Sequence, residues 1–262
     1  MPLPGTASCR LFGARFEMPQ TWLIVGASRG IGFEFTKQLL ARGDRVLAAT
    51  GSSLSRHALG TWSDIVAAGS GRLQQFRCDM LREDTIDGMV DDLRACGVHH
   101  IDHVVLNAGV LKYPNRATDM SYADFALHLH TNTIGPVICA QRLLKSMISL
   151  GFITFISSDS GSTQRFLEME DGFAAYSASK AALNQSLRHM AAELKRKGDD
   201  TVILALHPGE VKTDLANLNL EWEVEGQMMP EESVASCIKI IENRNQDDSG
   251  TFWTWENKRY PW

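Results

Sequence analysis

Tyr176 and Lys180 stand four residues apart within the segment Phe173 to Asn184. On a helix that spacing puts both side chains on one face, one turn apart. An ammonium beside a phenol stabilises the phenolate and lowers the Tyr pKa from about 10. Such a Tyr can exchange a proton with a carbonyl or an alcohol near neutral pH. A solvated helix face carries the same spacing by chance, so the pair gains meaning from what the rest of the chain supplies.

A nucleotide-binding corner is the next supply. Trp22-Leu-Ile-Val25 is a short apolar run that ends in Gly26-Ala-Ser-Arg-Gly30-Ile-Gly32. Phe33–Arg42 then has helical character, and Gly43 reads as its stop. A strand, a glycine turn and a helix present free N–H groups and a positive dipole end to a pyrophosphate. The spacing is Gly-x-x-x-Gly-x-Gly, not the general Gly-x-Gly-x-x-Gly. Arg45–Thr50 reads as a second strand without the terminal carboxylate that an NAD ribose would need. Thr50, Gly51, Ser52 and Ser53 are small and polar there, and Arg29 is the candidate cation for a 2′-phosphate. NADP(H) is therefore favoured, with NAD(H) left open.

The other elements follow the same rhythm. Leu73–Asp79 reads as a third strand, its Asp79 suited to an adenine amino group or to capping the helix that follows. Helical spacing runs from Arg82 to Cys96, and Ile101–Leu106 is a fourth strand closed by Asn107-Ala108-Gly109. A long helix is expected over Ser121–Leu150. Its Asn132, Gly135 and Pro136 are locally unfavourable and mark a kink or a functional site. His128 and His130 are two apart, do not face the same way, and predict no metal site. Gly151–Ile156 is a fifth strand delivering Ser157 and Ser158, and Thr201–Leu206 a sixth leading into His207-Pro208-Gly209. A last helix opens at Pro230, and Gly250–Trp255 reads as an edge or seventh strand. The alternation predicts an α/β chain with a single-domain Rossmann-type fold over residues 21–262. Its doubly wound parallel sheet of about seven strands has helices on both faces and a crevice at the strands' carboxyl ends.

Composition fits an ordinary soluble protein of one large domain: 262 residues, 44% hydrophobic and 22% charged. A net charge of -5 argues against nucleic acid or an anionic membrane surface. No apolar run reaches the roughly 18 residues of a membrane span. Cys9, Cys78, Cys96, Cys139 and Cys237 are odd in number and lack a Cys-x-x-Cys pair, as expected of free thiols in a reducing compartment. Residues 1–20 show no secretory apolar core and read as a mobile tail, so a cytoplasmic location is expected.

In this order, Gly26-x-x-x-Gly30-Ile31-Gly32, Asp79, Asn107-Ala108-Gly109, Asn132, Ser158, Tyr176-x-x-x-Lys180 and Pro208-Gly209-x-x-x-Thr213 resemble the short-chain dehydrogenase/reductases. The resemblance covers the chain from Thr21 onward. The segments Pro208–Asp214 and Gly250–Phe252 are most similar to the sniffer/C-factor-type carbonyl reductases. It implies that Tyr176 is the general acid in reduction or base in oxidation. Lys180 would lower the Tyr176 pKa and hold the nicotinamide ribose. Ser158 would bond the substrate oxygen, and Asn132 a relay water. Gly26, Ser28, Arg29, Gly30, Ile31, Gly32, Asp79, Asn107, Ala108, Gly109, Pro208, Gly209, Val211 and Thr213 would line the cofactor together with Tyr176 and Lys180. The implied activity is NADP(H)-dependent hydride transfer between nicotinamide and a fairly apolar small-molecule carbonyl or secondary alcohol. A non-redox isomerase, dehydratase or cyclase of the same fold, and a cofactor-binding regulator, stay open.

Three departures stand out. Val25 replaces the Thr often found before the first glycine, and Ser52 stands where the subfamily carries an Arg. The loop from Ser158 to Tyr176 is long, and its Phe166, Leu167, Met169 and Phe173 form either a substrate wall or core. After the sixth strand, Asp214–Met229 holds Trp222, Met228 and Met229 and reads either as a lid over an apolar substrate or as cover for the core. Alanines along the Tyr176 helix allow close helix approach, so pairing with a second copy, as a homodimer or homotetramer, is expected.

Overall fold

The computed structural model describes residues 18–51, 65, 71–168, 170–214 and 226–262. Seven parallel strands form one sheet in the order β3-β2-β1-β4-β5-β6-β7. They are β1 Thr21–Val25, β2 Arg45–Thr50, β3 Leu73–Arg77, β4 His100–Leu106, β5 Ser149–Ile156, β6 Val202–His207 and β7 Thr251–Thr254. Parallel strands buried on both faces read as continuous apolar runs, and β1 and β6 do so.

Alternation along β1 divides the core. Leu23 and Val25 face the helices α2 Glu83–Ala95, α4 Gly135–Lys145 and α5 Ala174–Lys197. Trp22 and Ile24 face α1 Gly30–Arg42 and α6 Pro230–Glu242. The sheet order turns back between β1 and β4, and the glycine turn after β1 lies at that switch point.

The expected long helix is two helices joined by a π turn, and it ends five residues early. Helix α3 covers Tyr122–Leu129, the π turn covers His130–Ile134, and α4 begins with Gly135 and Pro136. Proline at the start of a helix costs no internal bond, because that N–H is unpaired there anyway. A Cβ on Gly135 would stand 2.5 Å from the Met80 carbonyl oxygen, so only glycine lets the turn pack this closely. Ser146 closes α4: its hydroxyl donates to the Leu143 carbonyl at 2.6 Å and accepts the Ile148 N–H at 3.2 Å. Ser149 is then free to pair with His100, which starts β5 two residues before Gly151.

One buried group makes stability depend on pH. His103 on β4 is 3% exposed and stacks between Trp22 (4.0 Å between ring centroids) and Phe152 (5.1 Å). Neither ring nitrogen has a hydrogen-bond partner among the described residues. Burial pushes its pKa down from 6.5 to about 4. The unfolded chain binds the proton first, so stability is full above pH 6.5 and is lost as pH falls from there toward 4. At about 1.4 kcal/mol per unit, the loss attributable to His103 is about 3 kcal/mol. We expect His103→Leu to flatten the denaturant-midpoint curve between pH 6.5 and 4. Parallel curves for parent and variant would remove His103 as the cause.

Candidate active site

A cavity of about 990 Å³ lies along the carboxyl ends of the strands, from the glycine turn to the start of α5. At one end Gly26 has φ +93°, and a Cβ there would meet the Ala108 backbone nitrogen at 2.6 Å. The Asn107 side chain donates to the Gly26 carbonyl at 2.9 Å, tying the turn to β4. Arg29 at the N-cap of α1 makes no side-chain capping bond, so the first N–H groups of the helix remain for a ligand. The Arg29 guanidinium is 68% exposed and lies 3.9 Å from the Asp214 carboxylate, itself 79% exposed. An ion pair so open to water contributes little.

Asp79 does not cap the helix that follows, whose N-cap is Arg82. One carboxylate oxygen accepts the Leu81 N–H at 3.0 Å in the turn before α2, and the residue lines the cavity. Thr213, Gly30, Ser28, Ile31, Ala108, Gly109, Pro208, Gly209 and Val211 line it as well. Gly32 lies behind the turn, against Gly26 and Asn107. Ser52 and Ser53 lie outside the described residues.

At the other end Ser158, Tyr176 and Lys180 come together from β5 and α5. Ser158 lines the cavity beside Tyr176, and its hydroxyl bonds the Asp159 carboxylate and Ser160 Oγ, each at 3.1 Å. Lys180 is 4% exposed, donates to the Ile156 carbonyl at 2.8 Å, and holds its Nζ 5.7 Å from the Tyr176 ring centroid. Burial lowers its pKa from 10.5 to about 8.

The expected lowering of the Tyr176 pKa is overturned. Desolvation raises it first, and the charges of Glu210, Asp159 and Glu170 add to that, against an opposing effect of the Ser158 hydroxyl. The phenol keeps its proton near neutral pH, and the raised pKa makes it a weaker donor than one tuned to the working pH.

Asn132 sits in the π turn with its amide committed. Its Nδ2 donates to the Val110 carbonyl at 2.9 Å and to Ser179 Oγ at 3.0 Å, and its Oδ1 accepts the Val110 N–H at 2.8 Å. A second lone pair on Oδ1 stays available. A Cβ on Gly109 would lie 3.3 Å from that oxygen and 3.9 Å from Lys180 Nζ, so Gly109 separates the two groups.

The substrate end of the cavity is acidic. Asp159, Glu170 and Glu210 line it beside Leu167, Phe173 and His207. Burial pushes the Glu170 carboxyl from 4.5 up to about 7. The Ser160 hydroxyl opposes this by donating to it at 2.8 Å, while Asp159 and Glu210 reinforce it. His207 accepts the Asp159 N–H at its Nδ1, 3.3 Å away, and burial pushes its pKa down. Asp159, His207 and Glu210 bring potential metal-ligand atoms within 4.8 Å of one another.

His128, by contrast, is saturated structurally. Its two nitrogens meet the Asp124 carbonyl at 2.6 Å and the Lys112 N–H at 3.0 Å.

The expected apolar wall is corrected in part. Leu167 and Phe173 line the cavity, whereas Phe166 is 84% exposed and does not. Its side chain follows a loop that bonds outward to the chain's last residue, Gln164 N–H to Trp262 O at 2.9 Å. Met228 is buried beside Val211, and Met229 is 56% exposed. Met169 and residues 215–225, including Leu215, Leu218, Leu220 and Trp222, lie outside the described residues.

The comparisons with known proteins agree with this architecture. The family described as short chain dehydrogenase matches residues 20–224. An uncharacterized oxidoreductase of Saccharomyces cerevisiae is 27% identical over 248 residues, 90% of this chain and 95% of that protein. The crystal structure of an NADPH-bound carbonyl reductase from chicken fatty liver superposes with a TM-score of 0.82 at 28% identity, covering 93% of this chain and 99% of that one. The carbonyl reductase Sniffer of Drosophila melanogaster shares the fold, with a TM-score of 0.78 at 22% identity over 94% of this chain and 100% of its own. With the family match spanning most of its length and the Rossmann-type sheet in place, the chain is an oxidoreductase of the short-chain dehydrogenase/reductase family.

Proposed function

We propose that the protein is an NADPH-dependent reductase of small, largely apolar carbonyl compounds. The observation that carries this reading is the half-buried Tyr176 beside Ser158 and Lys180, at the far end of a cavity that begins at a glycine turn. The residues present fit a dinucleotide. Gly26 and Gly32 let the turn pack closely on the Asn107–Ala108 segment, the N-terminus of α1 would take its phosphates, and Asp79 and Asn107 line the cavity beside it. When bound, the nicotinamide supplies a hydride to a carbonyl carbon.

The chain's own residues do the rest. Ser158 holds the carbonyl oxygen, and Tyr176 gives that oxygen its proton as negative charge develops. Lys180 would hold the nicotinamide ribose, and its ammonium beside the Tyr176 ring offsets the negative charge left on the phenolate until solvent returns the proton. Leu167 and Phe173 exclude water on the substrate side. Asp159, Glu170 and Glu210 set a negative potential there that disfavours anionic substrates.

Loss of the nicotinamide absorbance band with a panel of neutral and anionic ketones tests the reading. Turnover of neutral aromatic or aliphatic ketones in preference to 2-oxo acids is expected. A panel with no oxidation of NADPH above the protein-free rate would sink it.

Cofactor choice gives a second test. Among the described residues the Arg29 guanidinium is ion-paired with the exposed Asp214 carboxylate at 3.9 Å, a weak contact from which a 2′-phosphate can recruit it. NADPH should bind more tightly than NADH, and Arg29→Ala should shrink the gap about tenfold, as a charge-assisted contact implies. Equal affinities of the parent protein in a fluorescence titration would refute this role.

A further inference from the structure

Asn115 lies in the connection between β4 and α3, and no motif marks it. It is 1% exposed. Its Oδ1 accepts the Ala175 N–H at 2.6 Å and the Tyr176 N–H at 3.4 Å. These are first-turn N–H groups of α5, which have no partner inside the helix. The residue at the N-cap itself, Phe173, makes no side-chain capping bond. The cap of the catalytic helix therefore comes from a residue 60 positions earlier in the chain.

The connection is clamped on both sides. The Asn115 N–H donates to the Gly172 carbonyl at 2.7 Å, and its Nδ2 donates to the Lys112 carbonyl. Gly172 has φ +81°, and a Cβ there would meet the Tyr113 ring at 2.7 Å, so the turn before α5 lies directly on Tyr113. Toward its other end the connection is bonded to the π turn by the paired Val110–Asn132 hydrogen bonds and to α3 by the Lys112–His128 bond. One short segment thus joins the Asn132 region to the backbone of Tyr176.

We propose that Asn115 is a positioning residue for the reaction: by capping α5 from outside, it sets the place of the Tyr176 phenol relative to Ser158. This rests on Tyr176 being the proton donor. Asn115 is not among the residues that line the cavity, so it acts through Tyr176 and not on the substrate. Tyr176 sits in the first helical turn, the part of a helix that frays when its N–H groups lose their acceptor. A displacement of about 1 Å at a reacting group can cost on the order of 10²-fold in rate. Asparagine suits the position because it supplies an acceptor for the helix and a donor for Lys112 at once.

The test uses the full chain with NADPH and a ketone that the parent reduces. Asn115→Ala should lower kcat per folded molecule by about 10–100-fold, with the Kd for NADPH unchanged. Asn115→Asp keeps the acceptor and adds a charge that a helix N-terminus favours but loses the donor to the Lys112 carbonyl, so it should recover part of the rate. The decisive readout is the double variant. In a Tyr176→Phe background, Asn115→Ala should cost nothing further in rate, because the hydroxyl it positions is gone. A loss of rate that adds to that of Tyr176→Phe would overturn the proposal. So would an Asn115→Ala enzyme with a lowered melting temperature and parental kcat. If the alanine variant does not fold, Asn115→Ser, whose shorter oxygen cannot span both N–H groups, goes through the same comparison. An active Tyr176→Phe enzyme would instead sink the proton-donor reading itself, so the two failures are distinguishable.

Discussion

Tyr176→Phe should lower kcat for ketone reduction by about 10²–10⁴-fold while leaving NADPH affinity nearly unchanged. The phenylalanine ring keeps the packing: the edge contact with Phe173 (6.4 Å between centroids) and the place of Lys180 Nζ over the ring. Only the hydroxyl is lost. Its removal takes away the proton donor assigned to the product oxygen and leaves Ser158 and Lys180 in place. Single-turnover mixing of enzyme and NADPH with excess ketone separates this step from cofactor binding and release. A variant retaining more than about half the parent rate would remove Tyr176 from the proton transfer, since positioned acid catalysis contributes far more than twofold.

Much of this site was legible in the chain because its pieces are local. The glycine turn, the strand before it and the helix after it occupy one stretch of sequence, and each residue type there answers to backbone geometry. The Tyr176–Lys180 pair is likewise one helical turn. The direction of the Tyr176 pKa was not legible. It depends on burial and on Asp159, Glu170 and Glu210, which arrive from two different loops. Asn115 was invisible for the same reason, as its partners lie 60 residues away. The π turn and the end of α4 escaped for another reason. Helical periodicity runs smoothly through a one-residue register change, and closure by the Ser146 side chain leaves no trace in the apolar pattern. Phe166 was misplaced because apolar character does not say which way a loop side chain points.

The second large effect is expected at Gly32, where two opposing consequences of one methyl group can be weighed. Alanine is favoured over glycine inside a helix by roughly 1 kcal/mol, and Gly32 is the third residue of α1. Its Cβ, however, would stand 2.2 Å from the Gly26 carbonyl oxygen and 2.6 Å from Asn107 Nδ2. Neither neighbour can swing away cheaply: one is backbone, and the other is bonded to that same carbonyl at 2.9 Å. Relief requires the turn to move off β4, which spoils the surface facing the phosphates. Overpacking of this kind costs about 1–3 kcal/mol, so Gly32→Ala should weaken NADPH binding by about 10–100-fold. Gly88 in α2 is the control, since a Cβ there meets nothing within 4 Å and its φ is ordinary for a helix. Gly88→Ala should raise stability by roughly 0.5–1 kcal/mol and leave NADPH affinity alone. Titration of both variants with NADPH, alongside their denaturant midpoints, decides the matter. If Gly32→Ala binds NADPH as tightly as Gly88→Ala does, the contact with Gly26 and Asn107 is not what shapes the phosphate site.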